Sequence, residues 1–374
     1  MKGLEAMNLK RFFLLLMLGS AALQAEPYIA VRTGFKCSQC HVNQTGGGKR
    51  TEYGFVYSQY KLLMKSALTE YQAFSFDPKL NASVSTGANF RIVQSRSLDY
   101  KWNPTPAQDS AGLDTVDLRS RDNSDIKEGN LYLQLDLVRN FFTLYLDQTM
   151  SPSTASREMW AMVRLPGRSY FKFGKMLLPY GFRLMDDEAF VRKVTNYTYN
   201  NSGVGYEAGL EPGPLSLVVN VTSTQLSSVG SLVFNNFPIV RTFRIGGSYG
   251  TDIRKTKRSW NNTKGMFAGF SLGMFTVLGE HDLIRADSVN KEAEFMEVNF
   301  LPMQGLNFKA TYEYLWPDKV VPKANSGDRR LVFGVESFIT QFLQLGLYYR
   351  QNDGPPQIGN NNQDEISGRF HAFF

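Results

Sequence analysis

Leu131-Tyr132-Leu133-Gln134-Leu135-Asp136-Leu137 runs into Val138-Arg139-Asn140-Phe141, and Phe142-Thr143-Leu144-Tyr145-Leu146-Asp147 follows. Every second residue is apolar on both sides of the Arg139-Asn140 break. A period of 2 marks a strand, because successive side chains leave opposite faces of the pleat, whereas a helix repeats at 3.6. The stretch predicts a hairpin with a leucine face and a polar face, joined by a tight Arg139-Asn140 turn.

The same rhythm recurs in Leu306, Phe308, Ala310, Tyr312 and Tyr314, interleaved with Asn307, Lys309, Thr311 and Glu313. It returns in Phe243, Ile245, Gly247 and Tyr249 against Thr242, Arg244 and Ser248, and in Leu343, Leu345, Leu347 and Tyr349 against Gln344, Tyr348 and Arg350. Segments of this kind fall near 82–96, 128–138, 141–149, 157–165, 168–177, 203–211, 214–223, 237–250, 264–273, 274–286, 292–301, 305–316, 329–340, 342–352 and 364–374, with a weaker one at 229–235. The count is about 16, in the porin range.

Alternation alone also fits a soluble antiparallel sandwich. Three features favour a membrane barrel. The segments run about 9 to 12 residues, near the length a tilted strand needs to cross a bilayer, where soluble sheets centre on about 5 to 6. Aromatics make up 13% of the chain, and Tyr170, Tyr249, Trp316 and Tyr349 sit near segment ends, as interfacial girdles require. The final segment, Glu365 to Phe374, alternates Ile366, Gly368, Phe370, Ala372 and Phe374 against polar partners. It looks like the terminal aromatic strand by which Gram-negative outer-membrane proteins are recognised. The expected fold is all-β, an antiparallel transmembrane barrel.

Long Gly-, Asn- and Asp-rich connections at 99–127, 178–202, 251–263 and 352–363 suit extracellular loops, and the short Arg139-Asn140 turn suits the periplasmic side. The loop holding Leu178-Pro179-Tyr180-Gly181 loosely resembles one in phosphate-type porins. Its acidic run Asp186-Asp187-Glu188 is a candidate for attracting a cation such as Fe(II).

At the other end, Lys2, Lys10 and Arg11 precede an apolar run from Phe12 to Leu18, and small residues lead to Ala25. This reads as a secretory signal peptide over residues 1–25, cleaved after Ala25, since a membrane anchor needs roughly 20 apolar residues. Removing it takes away three cations and Glu5, so the formal charge falls from +7 to +5. The remaining charges are scattered rather than blocked, and no nucleic-acid footprint results. Mean hydropathy is slightly negative and no later stretch is long enough for an apolar helix, which excludes a helical inner-membrane protein.

Two cysteines occur in the whole chain, in Cys37-Ser38-Gln39-Cys40-His41. An exported pair can form a disulfide, hold a metal or bind haem. A thioredoxin-like pair needs a βαβ context that is not visible, and a closed zinc site needs four ligands, for which the two remaining histidines, His281 and His371, do not suffice. Cys-x-x-Cys-His is the attachment pattern of a c-type haem, with both thiols on one macrocycle and His41 as the iron's proximal ligand.

Gly46-Gly47-Gly48 can let backbone pass close to a flat ligand, and Lys49 and Arg50 can pair with haem propionates. Tyr53 to Leu68 reads as a helix on which Phe55, Tyr60, Leu63 and Met64 share or border an apolar face, with Asp77-Pro78 closing the module. The organisation is then signal peptide 1–25, a haem module 26–78 and a barrel 79–374. A module of about fifty residues buries little core alone and has to pack on the barrel. For the distal ligand, Met64, His281, His371 and no protein ligand at all stay open.

Ala30-Val31-Arg32-Thr33-Gly34-Phe35-Lys36 leading into Cys37-Ser38-Gln39-Cys40-His41, followed by a barrel to Phe374, resembles the fused monohaem cytochrome-porins of the outer membrane, best known from iron-oxidising bacteria. The resemblance implies one covalent haem c held by Cys37, Cys40 and His41. It also implies electron transfer between an extracellular donor such as Fe(II) and periplasmic cytochromes. A barrel's apolar band is about 25 Å tall, so one haem serves both surfaces only from within the lumen. A diffusion porin with a haem-based sensing or gating module, and a barrel anchoring a periplasmic haem domain, are the rival readings. No nucleophile elbow, metalloprotease helix or phosphate loop supports a hydrolase or transferase.

Overall fold

The computed structural model describes residues 26–64, 77–101, 117–186, 188–236, 239–253, 261–286, 289–320, 327–354 and 362–374. The expected signal peptide, 1–25, lies outside them. Sixteen antiparallel strands pair in chain order and close, with β1 beside β16. They are β1 (Val84–Lys101), β2 (Asp117–Val138), β3 (Phe142–Ser151), β4 (Ala155–Leu165), β5 (Ser169–Leu177), β6 (Ser202–Leu210), β7 (Leu215–Thr222) and β8 (Gln225–Asn235). The circuit continues through β9 (Thr242–Asp252), β10 (Asn261–Leu272), β11 (Phe275–Ala286), β12 (Val289–Met303), β13 (Leu306–Trp316), β14 (Asp328–Thr340), β15 (Leu343–Asp353) and β16 (Asn362–Phe373). Closure leaves no edge, so every strand's backbone groups find partners without water.

The weak segment at 229–235 is part of a full strand, β8. The expected loop at 99–127 is a correction of the opposite kind: β1 and β2 keep pairing out to Lys101 opposite Asp117. From Arg119 to Lys127 nearly every residue is polar or charged, so the period-2 signal vanishes although the backbone ladder continues. Short turns such as Arg139–Phe141, with Asn140 at φ 60°, and Pro166–Arg168 gather at one end. By the barrel rule that end is periplasmic.

The alternation sorts the side chains as the hairpin predicted. Leu131 and Leu137 are exposed on the outer surface while Tyr132, Gln134, Thr143, Tyr145 and Asp147 are buried inside. Around the wall, Met159, Phe173, Val221, Ile245, Met266, Phe308, Phe333, Leu347 and Ile366 also face outward. Tyr249, Trp316 and Tyr349 share that outward register. Tyr170 does not: it faces the lumen and its hydroxyl donates to Glu207 Oε1 at 3.0 Å.

The lumen is filled from two directions. Three short helices, α1 (Pro27–Thr33), α2 (Cys37–Cys40) and α3 (Glu52–Tyr57), lie inside the short-turn end. From the other side the connection after β5 folds inward rather than out, carrying α4 (Phe190–Lys193). Tyr28 and Val31 of α1 share one core with Phe182, Leu184 and Val191 of that loop and Phe267, Leu278 and Phe295 of the wall. Val42 packs in a second core with Tyr132, Tyr145, Trp160, Met162 and Met176.

The helix expected over Tyr53–Leu68 is shorter. After α3 the chain makes one wider π-helical turn, Ser58–Leu62, and stops. Leu63 is buried against the wall and the Met64 N–H donates to the Phe338 carbonyl at 3.1 Å, so the barrel rim takes the backbone group a further turn would have used. Residues 65–68 lie outside the described ones.

Leu133→Arg, on the lipid-facing side of β2, is expected to destabilise the barrel by about 2–4 kcal/mol if its site lies near the bilayer midplane. Denaturant unfolding in lipid vesicles measures this, and an unchanged midpoint would contradict the assigned facing.

Candidate haem site

Gly34 ends α1 at φ 70°, in the left-handed region where a Cβ is strained, and the chain turns into α2. Lys36, just before α2, donates from Nζ to the carbonyls of Glu211 (2.8 Å) and Leu215 (2.5 Å) in the β6–β7 turn. Ser38 Oγ donates to the Glu211 carboxylate. The attachment helix is thereby fastened to the barrel rim. Behind it, Thr51 Oγ1 donates to the Gln39 carbonyl at 2.6 Å and accepts the Gly54 N–H at 3.1 Å. Gly54 crosses so close that a Cβ there would stand 2.1 Å from the Cys40 carbonyl oxygen.

Residues 41–50 double back as a small hairpin, with Val42 N–H on the Lys49 carbonyl at 2.9 Å. The glycine run turns it, with φ of 91°, 78° and 65° at Gly46, Gly47 and Gly48. These glycines were expected against a flat ligand. They press instead on the inward loop and the barrel wall, where Cβ atoms at Gly47 and Gly48 would meet Tyr199 and Tyr145 respectively.

Cys37, Cys40 and His41 open onto one cavity of about 120 Å³, bordered by α1, Tyr57, the inward loop at Tyr180–Arg183 and the wall at Val218, Val229, Arg244 and Phe267. Neither cysteine is in a disulfide. Burial, reinforced by nearby Arg50 and opposed by the backbone of Gly48 and Gly47, pushes the His41 imidazole down to about 3. At neutral pH the ring is uncharged and offers a lone pair, the form that ligates a metal. Burial also pushes the Cys40 thiol up to about 11, against the pull of Arg50.

Of the two expected propionate partners, Arg50 lines the cavity and Lys49 does not; Lys49 Nζ donates to the Arg50 carbonyl at 3.1 Å. The Arg50 guanidinium lies over the Phe373 ring, 4.7 Å from its centroid. Arg183 and Arg244, from the inward loop and β9, also line the cavity. Arg50 Nη1, Arg183 Nε and Arg244 Nε are each buried without a hydrogen-bond partner. Unsatisfied Nε atoms also occur on Arg91, Arg192, Arg350 and Arg369, but Arg50, Arg183 and Arg244 border one cavity and form no ion pair with a carboxylate among the described residues, an arrangement that suits an anionic group inside it. Two thiols, a neutral imidazole and three such arginines fit a c-type haem with its two carboxylates. Sequence reading missed Arg183 and Arg244, because only the closed wall brings them opposite Cys37.

No family model matches the chain, and no curated protein does. Solved structures do. OmpT of Vibrio cholerae superposes with a TM-score of 0.55 at 10% identity, over 80% of this chain and 100% of its own. An anion-selective porin from Comamonas acidovorans gives 0.54 at 11%, over 78% and 99%. Salmonella typhi OmpF, solved in complex with daunomycin, gives 0.57 at 8%, over 78% and 97%. The fold is that of a porin-like outer-membrane barrel.

In this porin-like barrel the other candidate ligands fall elsewhere. Met64 Sδ takes the Ser337 hydroxyl at 3.1 Å, at the rim. His281 points outward beside Glu294, and with Glu292 these ligand atoms lie within 4.8 Å of one another, far from any cysteine in the wall's facing. Glu292 is already paired with Lys319 at 2.5 Å. His371 faces the lumen, its Nδ1 2.9 Å from Gln344 Oε1. The acidic run is likewise corrected. Asp186 is paired with Arg350 at 2.8 Å, and despite burial Arg350, Arg330 and Arg369 hold its carboxyl well below the usual range. Glu188 pairs with Lys193 at 2.8 Å, and Asp187 lies outside the described residues. The described part of the run holds no spare negative charge for a cation.

Charged contacts seat the module. Lys172 and Glu207, both fully buried, pair at 2.6 Å, and Asn43 of the module bridges Lys172 (3.4 Å) and Glu158 (3.1 Å). Glu26 reaches Lys309 at 3.2 Å, where Glu336 and Glu297 compete for the same ammonium. Burial above all, with those two carboxylates adding to it and Lys309 opposing, raises Glu26 to about 7. A raised carboxyl binds its proton more tightly folded than unfolded, so its contribution is fully present below about 4.5 and is lost as pH rises through about 7. The stability of wild type relative to Glu26→Gln is expected to fall from pH 4.5 to 7, measured by denaturant titration; a pH-independent difference would refute the assignment.

Proposed function

We propose that this porin-like barrel carries one covalent c-type haem in its lumen and passes electrons between an extracellular donor and periplasmic carriers. The observation that supports the reading is the cavity shared by Cys37, Cys40, His41 and three arginines that each keep one buried nitrogen without a partner. When bound there, the haem supplies one-electron redox chemistry. Cys37 and Cys40 would hold the group through thioethers and His41 would ligate its iron. Arg50, Arg183 and Arg244 would meet its carboxylates. Phe182, Phe267, Val218 and Val229 would keep water from it, which sets the cost of a charge change there.

Each mouth has its own access. A polar cavity of about 60 Å³ shares Glu26 with the haem cavity and extends to Asp186 and Arg350 on the loop side. A small extracellular reductant such as Fe(II) would approach from this side. At the short-turn end Arg139, Arg168, Arg241 and Lys61 are exposed, and Lys36 and Arg164 are half-buried beside the attachment helix. Glu211 among them is engaged by Ser38 and Ser216. This basic rim suits an acidic periplasmic cytochrome, whose approach it steers.

The second reading is a diffusion porin gated or informed by its haem module, and the porin fold of the similar structures favours it. The packed lumen speaks against free passage. Proteoliposomes carrying the holoprotein are expected to reduce an enclosed acidic cytochrome from external Fe(II), more slowly as salt rises, and to show little single-channel conductance. No reduction together with a large conductance indifferent to haem would establish the diffusion reading instead.

A further inference from the structure

Every histidine, and every methionine after residue 25, lies within the described residues. The imidazole and thioether donors beyond residue 25 can therefore be placed one by one. Met150, Met159, Met266 and Met296 are exposed on the wall, and Met274 and Met303 are exposed at the short-turn rim, where they line a separate cavity with Tyr28 and Tyr57. Met162 and Met176 are buried behind Val42 against Trp160, and the Met162 sulfur accepts from Gln44 Nε2 at 3.3 Å. Met185 lines the neighbouring polar cavity, and Met64 sits at the rim against Ser337. His281 faces outward and His371 is bonded to Gln344. Apart from His41, none of them lines the cavity into which Cys37 and Cys40 open.

The other donors there are engaged or unsuited to iron. Lys36 Nζ is held by two carbonyls and the Tyr180 hydroxyl donates to Asp282 Oδ1 at 2.9 Å. The guanidinium groups stay protonated and have no lone pair to give. Glu26 is paired with Lys309, Glu211 is engaged by Ser38 and Ser216, and Tyr57 brings a phenol, which is protonated at neutral pH. The apolar part of the wall is Ile29, Val218, Val229, and Phe182 against Phe267 with ring centroids 4.7 Å apart. That part neither ligates iron nor rewards an ion, but accommodates a small uncharged molecule.

We infer that this chain supplies no ligand on the haem face away from His41, and that this face is a binding site for a neutral diatomic such as carbon monoxide or nitric oxide. The inference rests on the haem reading above. It gives the module a ligand-sensing capacity in addition to electron transfer, since a bound diatomic changes the iron's coordination without displacing any protein group.

The test uses the full-length holoprotein purified in detergent, reduced, with carbon monoxide as probe. The expected result is a five-coordinate, high-spin ferrous spectrum that carbon monoxide converts to a single six-coordinate form at one equivalent per haem. Met64→Leu and His371→Gln are expected to leave both spectra unchanged, with the folded barrel verified by heat-modifiable gel mobility. A low-spin six-coordinate ferrous spectrum before gas is added overturns the inference, whether the donor is Met64, His371 or an amine released at Glu26 by cleavage. A pyridine haemochrome assay separates the two levels: no covalent haem refutes the haem reading itself, while covalent haem with a low-spin spectrum refutes only the open face.

Discussion

The closed backbone ladder is the constraint from which the rest of this structure follows. A strand in lipid has no water to satisfy its N–H and C=O groups, so β1 must meet β16. Once the wall closes, its outward register has to be apolar and its polar residues have one place to go. That is why Glu158, Lys172, Glu207, Asp282 and Glu336 are all essentially inaccessible while Leu131, Phe308 and Leu347 are exposed. The inversion of the usual inside and outside is a consequence of the solvent, not of unusual composition.

A lumen lined with charge is costly to fill unless each charge is paired, and the filling elements do the pairing. Arg192 of α4 engages Glu280 and the Phe182 N–H donates to the same carboxylate at 2.8 Å. Asn43 inserts between Lys172 and Glu158. Removing one partner of such a buried pair typically costs about 3–5 kcal/mol, so module, loop and wall hold one another in register. Arg50, Arg183 and Arg244 differ from Arg157, Arg192 and Arg330 in that, among the described residues, no ion pair to a carboxylate holds them; Arg183 and Arg244 donate only to a hydroxyl and to backbone carbonyls. They all border the cavity that Cys37, Cys40 and His41 share.

Part of this was legible in the residues. The Leu131–Asp147 hairpin gave its register directly, and the strand count held because alternation persists wherever one face meets lipid. It failed at 99–127, where neither face does, and strands continued unseen. The helix over 53–68 was overextended because apolar spacing cannot report that Phe338 offers a carbonyl where the helix would otherwise continue. Tyr170 looked like a girdle residue since position near a strand end says nothing about which face it takes when both neighbours are ambiguous.

By itself the sequence determined the alternation that makes a barrel and the Cys-x-x-Cys-His pattern, because both are local and covalently spaced. Only the tertiary structure decided that the loop at 178–201 turns inward and that Asp186 is neutralised by Arg350. It also decided that Arg183 and Arg244 gather around Cys37, and that Met64, His281 and His371 stay away from it. Those facts depend on which residues a closed sheet carries to the same height across its lumen, and sequence distance holds no record of that.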